Sequence, residues 1–199
     1  MANSCSRAVA LEIERRFLVA GDAWRAHVRW SRHLQQGYLS RPGEGLTVRV
    51  RVAEQAGEPA QAWLTLKAPP LAAPSAPAPA PSAPAAPEGL VRLEFEYPIP
   101  PADAAELLRL GGPVLSKWRH GLDLPGGDWV LDVFEQANAP LLVAEVELPR
   151  VDQACPVPPW CVLELTGRHE LSNAALSQRP FQAWSAAEQR PLLQLMEAA

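Results

Sequence analysis

The chain has 199 residues, of which 48% are apolar and 20% are charged, and its formal net charge is −4. This length suits one well-buried domain, the apolar fraction excludes wholesale disorder, and no uncharged apolar run is long enough to span a membrane. The acidic balance argues against a nucleic-acid binder with a broad basic surface, and the three cysteines, which form no CxxC pair, favour neither a disulfide scaffold nor a zinc site. Because the first residues also lack a secretory-signal pattern, we expect a cytoplasmic single-domain protein.

Most of the chain is predicted to form β-strands separated by short turns. Alternating apolar and polar residues predict strands at residues 11–19, 33–40, 46–53, 61–68, 90–98, 114–120, 127–135 and 142–149. Start signals and the spacing of apolar residues predict helices at residues 22–30, 101–109, 172–177 and 180–196. These helices are too few and too short to cover one whole face of a large sheet.

One segment has a different composition. Pro69–Pro87 holds 19 residues, of which eight are proline and eight are alanine. Proline continues neither a helix nor a strand ladder, so this segment is predicted to be extended and to lack a core of its own. Because strands are predicted on both sides of it, we interpret residues 69–87 as a flexible loop inserted into a single domain that comprises residues 1–199.

Charged side chains recur on one face of six predicted strands. Residues i and i+2 of a strand point the same way, and here charged positions alternate with apolar ones. The charged positions are Glu12, Glu14 and Arg16; Arg49 and Arg51; Lys67; Arg92, Glu94 and Glu96; Lys117 and Arg119; Glu145 and Glu147. A solvated sheet face is the ordinary explanation for one such strand, but solvated faces also carry many uncharged polar residues.

Six strands with this pattern fit better a sheet that closes on itself, with charges inside and apolar residues outside against helices. Asp132 of a further strand would join the same interior. Such an interior must be wet and occupied, because burying many charges without a ligand is costly. Guanidinium forks bind phosphate oxygens, and carboxylates without histidine suit Mg²⁺ or Mn²⁺, so together they predict a metal–polyphosphate site.

The motifs on these strands resemble those of the CYTH superfamily, the triphosphate tunnel metalloenzymes. The stretch Glu12-Ile-Glu-Arg-Arg16 resembles the N-terminal ExExK signature of that family. Further matching pieces follow in order: Gln36–Leu39, Thr47–Arg51, Leu64–Lys67, Arg92–Tyr97, Lys117–Arg119, Trp129–Phe134, Ala144–Glu147 and Glu164–Thr166. The resemblance implies an α+β fold, which is an eight-stranded antiparallel closed β-barrel (the triphosphate tunnel) with flanking helices and a C-terminal helix.

The resemblance also implies a role for each interior charge. The implied metal ligands are Glu12, Glu14, Glu145 and Glu147, with Asp132 as a helper, and the implied cofactor is Mg²⁺ or Mn²⁺. The implied substrate-binding residues are Arg16, Arg49, Arg51, Lys67, Arg92, Lys117 and Arg119, and the implied catalytic residues are Glu12, Glu14, Arg16, Lys67 and Lys117. Glu94 and Glu96 match acids of the tunnel wall, which either position basic residues or serve a second metal. Residues 163–187 resemble a helix that closes one tunnel end.

The family contains inorganic triphosphatases, thiamine triphosphatases, class IV adenylyl cyclases and RNA triphosphatases. Likeness to its bacterial members implies metal-dependent hydrolysis of inorganic tripolyphosphate to pyrophosphate and phosphate. A non-catalytic polyphosphate- or nucleotide-binding module, a thiamine triphosphatase and a cyclase stay open as alternatives. The expected partner is a small-molecule triphosphate, with neither nucleic acid nor a membrane, and assembly as a homodimer is left open.

One residue departs from the family signature, because Arg16 stands where the family usually has lysine. Arginine keeps a charge that holds phosphate, but its pKa lies far above that of lysine, which makes it a poor proton donor. If the family lysine only neutralises charge, Arg16 serves equally well. We favour this interpretation because the rest of the charged set is intact.

Overall fold

The computed structural model describes residues 11–41, 45–69 and 91–197. Its strands are β1 (Leu11–Val19), β2 (Val28–Tyr38), β3 (Thr47–Glu54), β4 (Gln61–Ala68), β5 (Val91–Ile99), β6 (Leu115–Leu122), β7 (Asp128–Phe134), β8 (Leu142–Glu147) and β9 (Cys161–Glu164). Its α-helices are α1 (Pro101–Leu110), α2 (Asn173–Gln178) and α3 (Ala186–Glu197). Short 3₁₀ turns, among them Ala23–His27, join several of these elements.

Eight of the strands close into an antiparallel barrel. The order around the ring is β1, β5, β4, β3, β2, β6, β7 and β8, which pairs again with β1. β1 completes the ring because one of its edges pairs with β8, while the first residues of its other edge, Leu11–Ile13, pair with β5. The last residues of that edge, Phe17–Val19, pair with the short strand β9. The closed eight-stranded antiparallel barrel predicted from the sequence is confirmed.

The strand register sorts the side chains into a charged inner face and an apolar outer face. Cross-strand partners on the inner face include Arg16 with Glu145, Lys67 with Glu94, and Arg119 with Asp132. On the outer face, Trp24 and Trp129 belong to a buried cluster, and α1 covers a second one that contains Val50 and Ala62. Each large apolar side chain buried in this way contributes about 1.5–3 kcal/mol, so the outer layers stabilise the barrel around its polar interior.

The chain after β9 closes one end of the barrel. At that end the inner face becomes apolar, and it packs against a buried C-terminal layer. The residues of this cluster include Leu18, Leu115, Phe134 and Val143 of the barrel and Leu165, Leu171, Leu176, Phe181 and Leu192 of the C-terminal chain. Asn138, which follows β7, connects the barrel to the C-terminal chain, because its Oδ1 accepts from the Phe181 N–H (2.9 Å) and its Nδ2 donates to the Leu176 carbonyl (3.2 Å). We call residues 165–197 the closing segment.

The structure differs from the predicted elements at three places. Residues 22–30 do not form a helix: a 3₁₀ turn ends at His27, and β2 begins at Val28 because Trp30 pairs with Gly121 of β6. The Trp30 indole lies so close to Gly121 that a Cβ at this glycine would come within 2.1 Å of the ring. The predicted C-terminal helix starts later, at Ala186, after a 3₁₀ turn. Strand β9 was not predicted, since its four residues are too few to show a period.

The Pro/Ala-rich insertion lies mostly outside the described residues, which omit 70–90. The strands on either side of it, β4 and β5, pair with each other from Ala62 and Ile99 to Ala68 and Leu93. The single domain over 1–199 with a loop at 69–87 stays a prediction. In the part of the chain that the structure describes, no helix is long and apolar enough to cross a membrane.

Candidate active site

The predicted site residues line the interior of the barrel, where their charges are largely paired with one another. On β4, Lys67 donates from Nζ to Glu12 Oε1 of β1 (2.5 Å) and lies 3.4 Å from Glu94 Oε1 of β5. Burial would raise the pKa of Glu12, but the charge and hydrogen bond of Lys67 hold it below its usual value. Burial raises the pKa of Glu94. Lys67 is therefore held between two carboxylates whose pKa values are shifted in opposite directions.

Two arginines of β3 form a second group. Nη2 of Arg51 lies 2.9 Å from Glu96 Oε2, and Nη2 of Arg49 donates to Thr65 Oγ1 (3.2 Å). Thr65 in turn donates to the same Glu96 oxygen (2.8 Å). The Nε atoms of Arg49 and Arg51 are buried, and neither has a hydrogen-bond acceptor among the described residues. Burial, together with the charge of Arg49, lowers the pKa of Arg51 to about 10, because both disfavour the charged guanidinium.

The most buried group lies on β6, β7 and β8. The Asp132 side chain is 0% exposed and accepts from Lys117 Nζ (2.5 Å) and from both Nε and Nη2 of Arg119 (2.7 Å each). Arg119 also contacts Glu145. Burial lowers the pKa of Lys117 to about 8 despite the opposing charge of Asp132. Asp132 thus fixes two cations in place, and its predicted role as a metal helper stays a prediction.

Arg16 of β1 connects the barrel to the closing segment. Its Nε lies 3.4 Å from Glu14 Oε1 and 3.3 Å from Glu145 Oε1, and its Nη2 donates to the Leu171 carbonyl (2.9 Å). The neighbouring residue, Arg15, points to the outside, where it forms a two-pronged bond to Glu164 (2.9 and 2.8 Å). Arg16 thus faces the interior together with Glu14, and the adjacent Arg15 faces the outside.

The carboxylates around Arg16 offer the donor chemistry for a divalent cation. Burial, together with the charges of Glu145 and Glu12, raises the pKa of Glu14 to about 8. Burial would also raise the pKa of Glu145, but Arg119, Lys117 and Arg16 hold it well below its usual value. A divalent cation would relieve the repulsion between these crowded carboxylate oxygens. Mg²⁺ and Mn²⁺ suit such a site, because they prefer oxygen ligands.

The structure does not gather all five predicted metal ligands at one point. Across the described ranges, no three acidic, histidine or cysteine side chains lie close enough to one another to hold a metal ion. Glu147 stands across from Glu14 in the strand register and is exposed. Arg92 pairs in register with Glu12 and donates to Thr47 Oγ1 (3.2 Å). Both thus lie at the margin of the charged interior.

Sequence reasoning assigned no role to three uncharged polar residues of the site. Thr65 bridges Arg49 and Glu96, Gln36 Nε2 donates to the Tyr38 hydroxyl (2.7 Å), and Asn173 Oδ1 accepts from Lys117 Nζ (2.9 Å). The parity of β4 places Thr65 beside Lys67 and could have identified it. Asn173 belongs to the closing segment, and its contact with β6 has no signal in the local sequence.

Comparisons with known proteins agree with this architecture. The family model of the CYTH domain matches residues 10–170. A curated protein of Acetivibrio thermocellus named inorganic triphosphatase is 32% identical in a 177-residue alignment that covers 85% of this chain and 95% of that protein. The crystal structure of the inorganic triphosphatase NE1496 is similar, with a TM-score of 0.51 and 28% identity over 83% of this chain and 93% of that one.

A second crystal structure, of the hypothetical protein NE1496, has a TM-score of 0.51 and 29% identity, covering 83% of this chain and 96% of that chain. The family model therefore spans most of the sequence, and the similar solved structures are covered almost end to end. The sequence motifs, the closed barrel and its charged interior all agree with these matches. The chain belongs to the CYTH domain family.

Proposed function

We propose that this protein is a metal-dependent triphosphatase, which hydrolyses inorganic tripolyphosphate to pyrophosphate and phosphate. The observation that carries this proposal is the pair of buried Nε–H groups of Arg49 and Arg51, which have no acceptor among the described residues. Buried donors that lack a partner are costly, and an anion with several oxygens would satisfy both. The similarity to a protein named inorganic triphosphatase supports the same substrate.

The balance of interior charge supports a metal-bound substrate. The predicted interior set contains seven acidic and seven basic side chains, so it is nearly neutral before any ligand enters. A polyphosphate alone would add many negative charges to this interior, and divalent cations that enter with it would offset them. This favours joint binding of triphosphate and cation over binding of either one alone.

The acidic residues proposed to hold the cation are Glu12, Glu14, Glu145 and Glu147, and CYTH triphosphatases are metal-dependent. Since no three acidic side chains of the described residues form a metal site by themselves, phosphate oxygens of the substrate would complete the ligand set. A bound Mg²⁺ or Mn²⁺ would neutralise phosphate charge and lower the pKa of a water molecule. We propose that Arg49, Arg51, Lys67, Lys117 and Arg119 bind phosphate oxygens and stabilise the charge that develops on the leaving phosphates. Arg16 holds Glu14 and Glu145 in place, and Arg92 adds positive charge at the margin.

The test is a direct assay of products. Purified protein is incubated with tripolyphosphate, thiamine triphosphate or ATP in Mg²⁺ or Mn²⁺, and phosphate, pyrophosphate and cyclic AMP are measured. We expect release of pyrophosphate and phosphate from tripolyphosphate, loss of activity in EDTA, and loss in a Glu145→Ala/Glu147→Ala variant. Tight binding of tripolyphosphate without turnover would contradict the proposal and indicate a binding module, and cyclic AMP from ATP would indicate a cyclase.

The same preparation tests the remaining predictions. Light scattering coupled to size-exclusion chromatography would show whether the protein is a homodimer, and cell fractionation would test the predicted cytoplasmic location. Competition of tripolyphosphate hydrolysis by thiamine triphosphate would measure how well the interior tolerates an organic group. We expect weak competition, because the closing segment occupies one end of the barrel with a buried apolar layer.

A further inference from the structure

The closing segment contributes two neutral oxygen atoms to the charged interior. The Leu171 carbonyl accepts from Arg16 Nη2 (2.9 Å), and two residues later Asn173 Oδ1 accepts from Lys117 Nζ (2.9 Å). Asn173 is the first residue of α2, and Ser172 before it caps that helix by accepting from the Ala175 N–H (3.2 Å). The cap fixes the backbone from which the Asn173 amide reaches the barrel wall.

The Lys117 side chain is buried and is held in place by several contacts. Its side chain is 1% exposed, its Nζ donates to Asp132 Oδ2 and Asn173 Oδ1, and it lies 5.2 Å from the centre of the Phe134 ring. Asp132 is shared with Arg119, so one carboxylate serves two cations. The second acceptor of Lys117 is therefore an uncharged amide, so the Lys117 charge is balanced only by the Asp132 carboxylate that it shares with Arg119.

We propose that Asn173 is a positioning residue for triphosphate binding, which holds Lys117 at the barrel wall without cancelling its charge. The inference rests on the proposed triphosphatase function and deepens it. An acceptor is required at this place because a buried ammonium group without partners is costly. A neutral acceptor is required because a second carboxylate would neutralise the cation that is to meet the phosphates. Asparagine meets both requirements, whereas aspartate of the same shape meets only the first.

The variant that separates these requirements is Asn173→Asp, which keeps the oxygen but adds a negative charge. We expect its thermal midpoint to equal or exceed that of the wild type, since the buried cation gains a charged partner. Its KM for tripolyphosphate should nevertheless rise about tenfold or more, the size of a lost charge-assisted bond, and kcat should fall as well, because Lys117 also stabilises the leaving phosphates. Asn173→Ala should lower the thermal midpoint and raise KM by a smaller factor.

Ser172→Ala is the matched control, because it removes the cap of α2 without touching Lys117. It should lower the thermal midpoint and raise KM less than Asn173→Asp does, because the Asn173 amide itself is kept. A purely structural role of Asn173 would give the opposite ranking, with Asn173→Asp near the wild type and Asn173→Ala most impaired in KM. That ranking, or an unchanged KM in Asn173→Asp, would overturn the inference. If instead the wild type itself released no phosphate from tripolyphosphate, the proposed function would fail first.

Discussion

Replacing Asp132 by asparagine tests whether its carboxylate holds the interior together. The side chain keeps its shape but loses its charge, so Lys117 and Arg119 would remain buried without their shared counter-ion. The wild-type carboxylate accepts three bonds from these two cations, at 2.5, 2.7 and 2.7 Å. The Asp132 side chain is 0% exposed, and those of Lys117 and Arg119 are 1% and 18% exposed, so little water can take its place.

The expected cost follows from the number of these bonds. A hydrogen bond to a charged group contributes about 1.5–3 kcal/mol, and an amide oxygen could keep roughly one of the three. Removing one partner of a buried ion pair costs about 3–5 kcal/mol in measured cases. We therefore expect Asp132→Asn to lower the free energy of unfolding by about 3–5 kcal/mol. With a slope near 2 kcal/mol per molar urea, the midpoint would fall by about 2 M.

The assay is urea denaturation followed by tryptophan fluorescence and far-ultraviolet circular dichroism in EDTA. Asp152→Asn is the control, because Asp152 accepts a similar two-pronged bond from Arg150 (2.9 and 2.5 Å) with side chains that are 69% and 71% exposed. The control midpoint should not move measurably. A loss below about 1 kcal/mol for Asp132→Asn would refute the argument, since exposed pairs are worth that much.

Three further predictions concern other parts of the interior. The pKa of Glu14 is raised to about 8 by burial, Glu145 and Glu12, so its carboxyl opposes folding increasingly as the pH rises from about 4.5 to 8. The free energy of unfolding, measured by urea titration in EDTA, should therefore fall as the pH rises through this range. Glu14→Gln should flatten this pH dependence, and an identical pH dependence in both proteins would contradict the assignment. Arg51→Lys keeps a charge but loses the Nε donor, so KM for tripolyphosphate should rise about tenfold, and an unchanged KM would exclude Nε as a phosphate donor. Arg16→Ala should abolish turnover while Arg15→Ala retains it, because Arg15 faces Glu164 outside the barrel; equal losses in both would contradict the facing of β1.

The sequence was informative where side-chain alternation decides the structure. Because side chains alternate along a strand, Arg15 and Arg16 face opposite sides of β1, and the same rule places Arg49 and Arg51 on one face of β3. The barrel could be predicted because the charged faces of six strands need a common interior. Residues that pair across the barrel are far apart in the chain, so the partner of each charge could not be predicted. Lys117, for example, reaches Asn173 of α2.

Elements that depend on tertiary contacts were harder to predict. Asp22 is a possible helix cap and predicts a helix through Trp30, yet the backbone from Val28 is extended and Trp30 pairs with Gly121 of β6. Strand β9 exists because the edge of β1 beyond β5 offers hydrogen bonds to Cys161–Glu164. Neither contact leaves a periodic pattern in the sequence. The protonation of Glu14 also depends on burial and on neighbours from other strands, which no local motif specifies.

The distribution of lysine gives this protein an unusual chemical property. Of the 18 basic residues only Lys67 and Lys117 are lysine, and their side chains are 13% and 1% exposed inside the barrel. Amine-directed reagents, which label the surfaces of most proteins at random, would here find only these two side-chain amines and the N-terminus. Acylation of Lys67 would show that the reagent has entered the barrel. Protection of this amine by a bound anion could be followed by mass spectrometry without any amino-acid substitution.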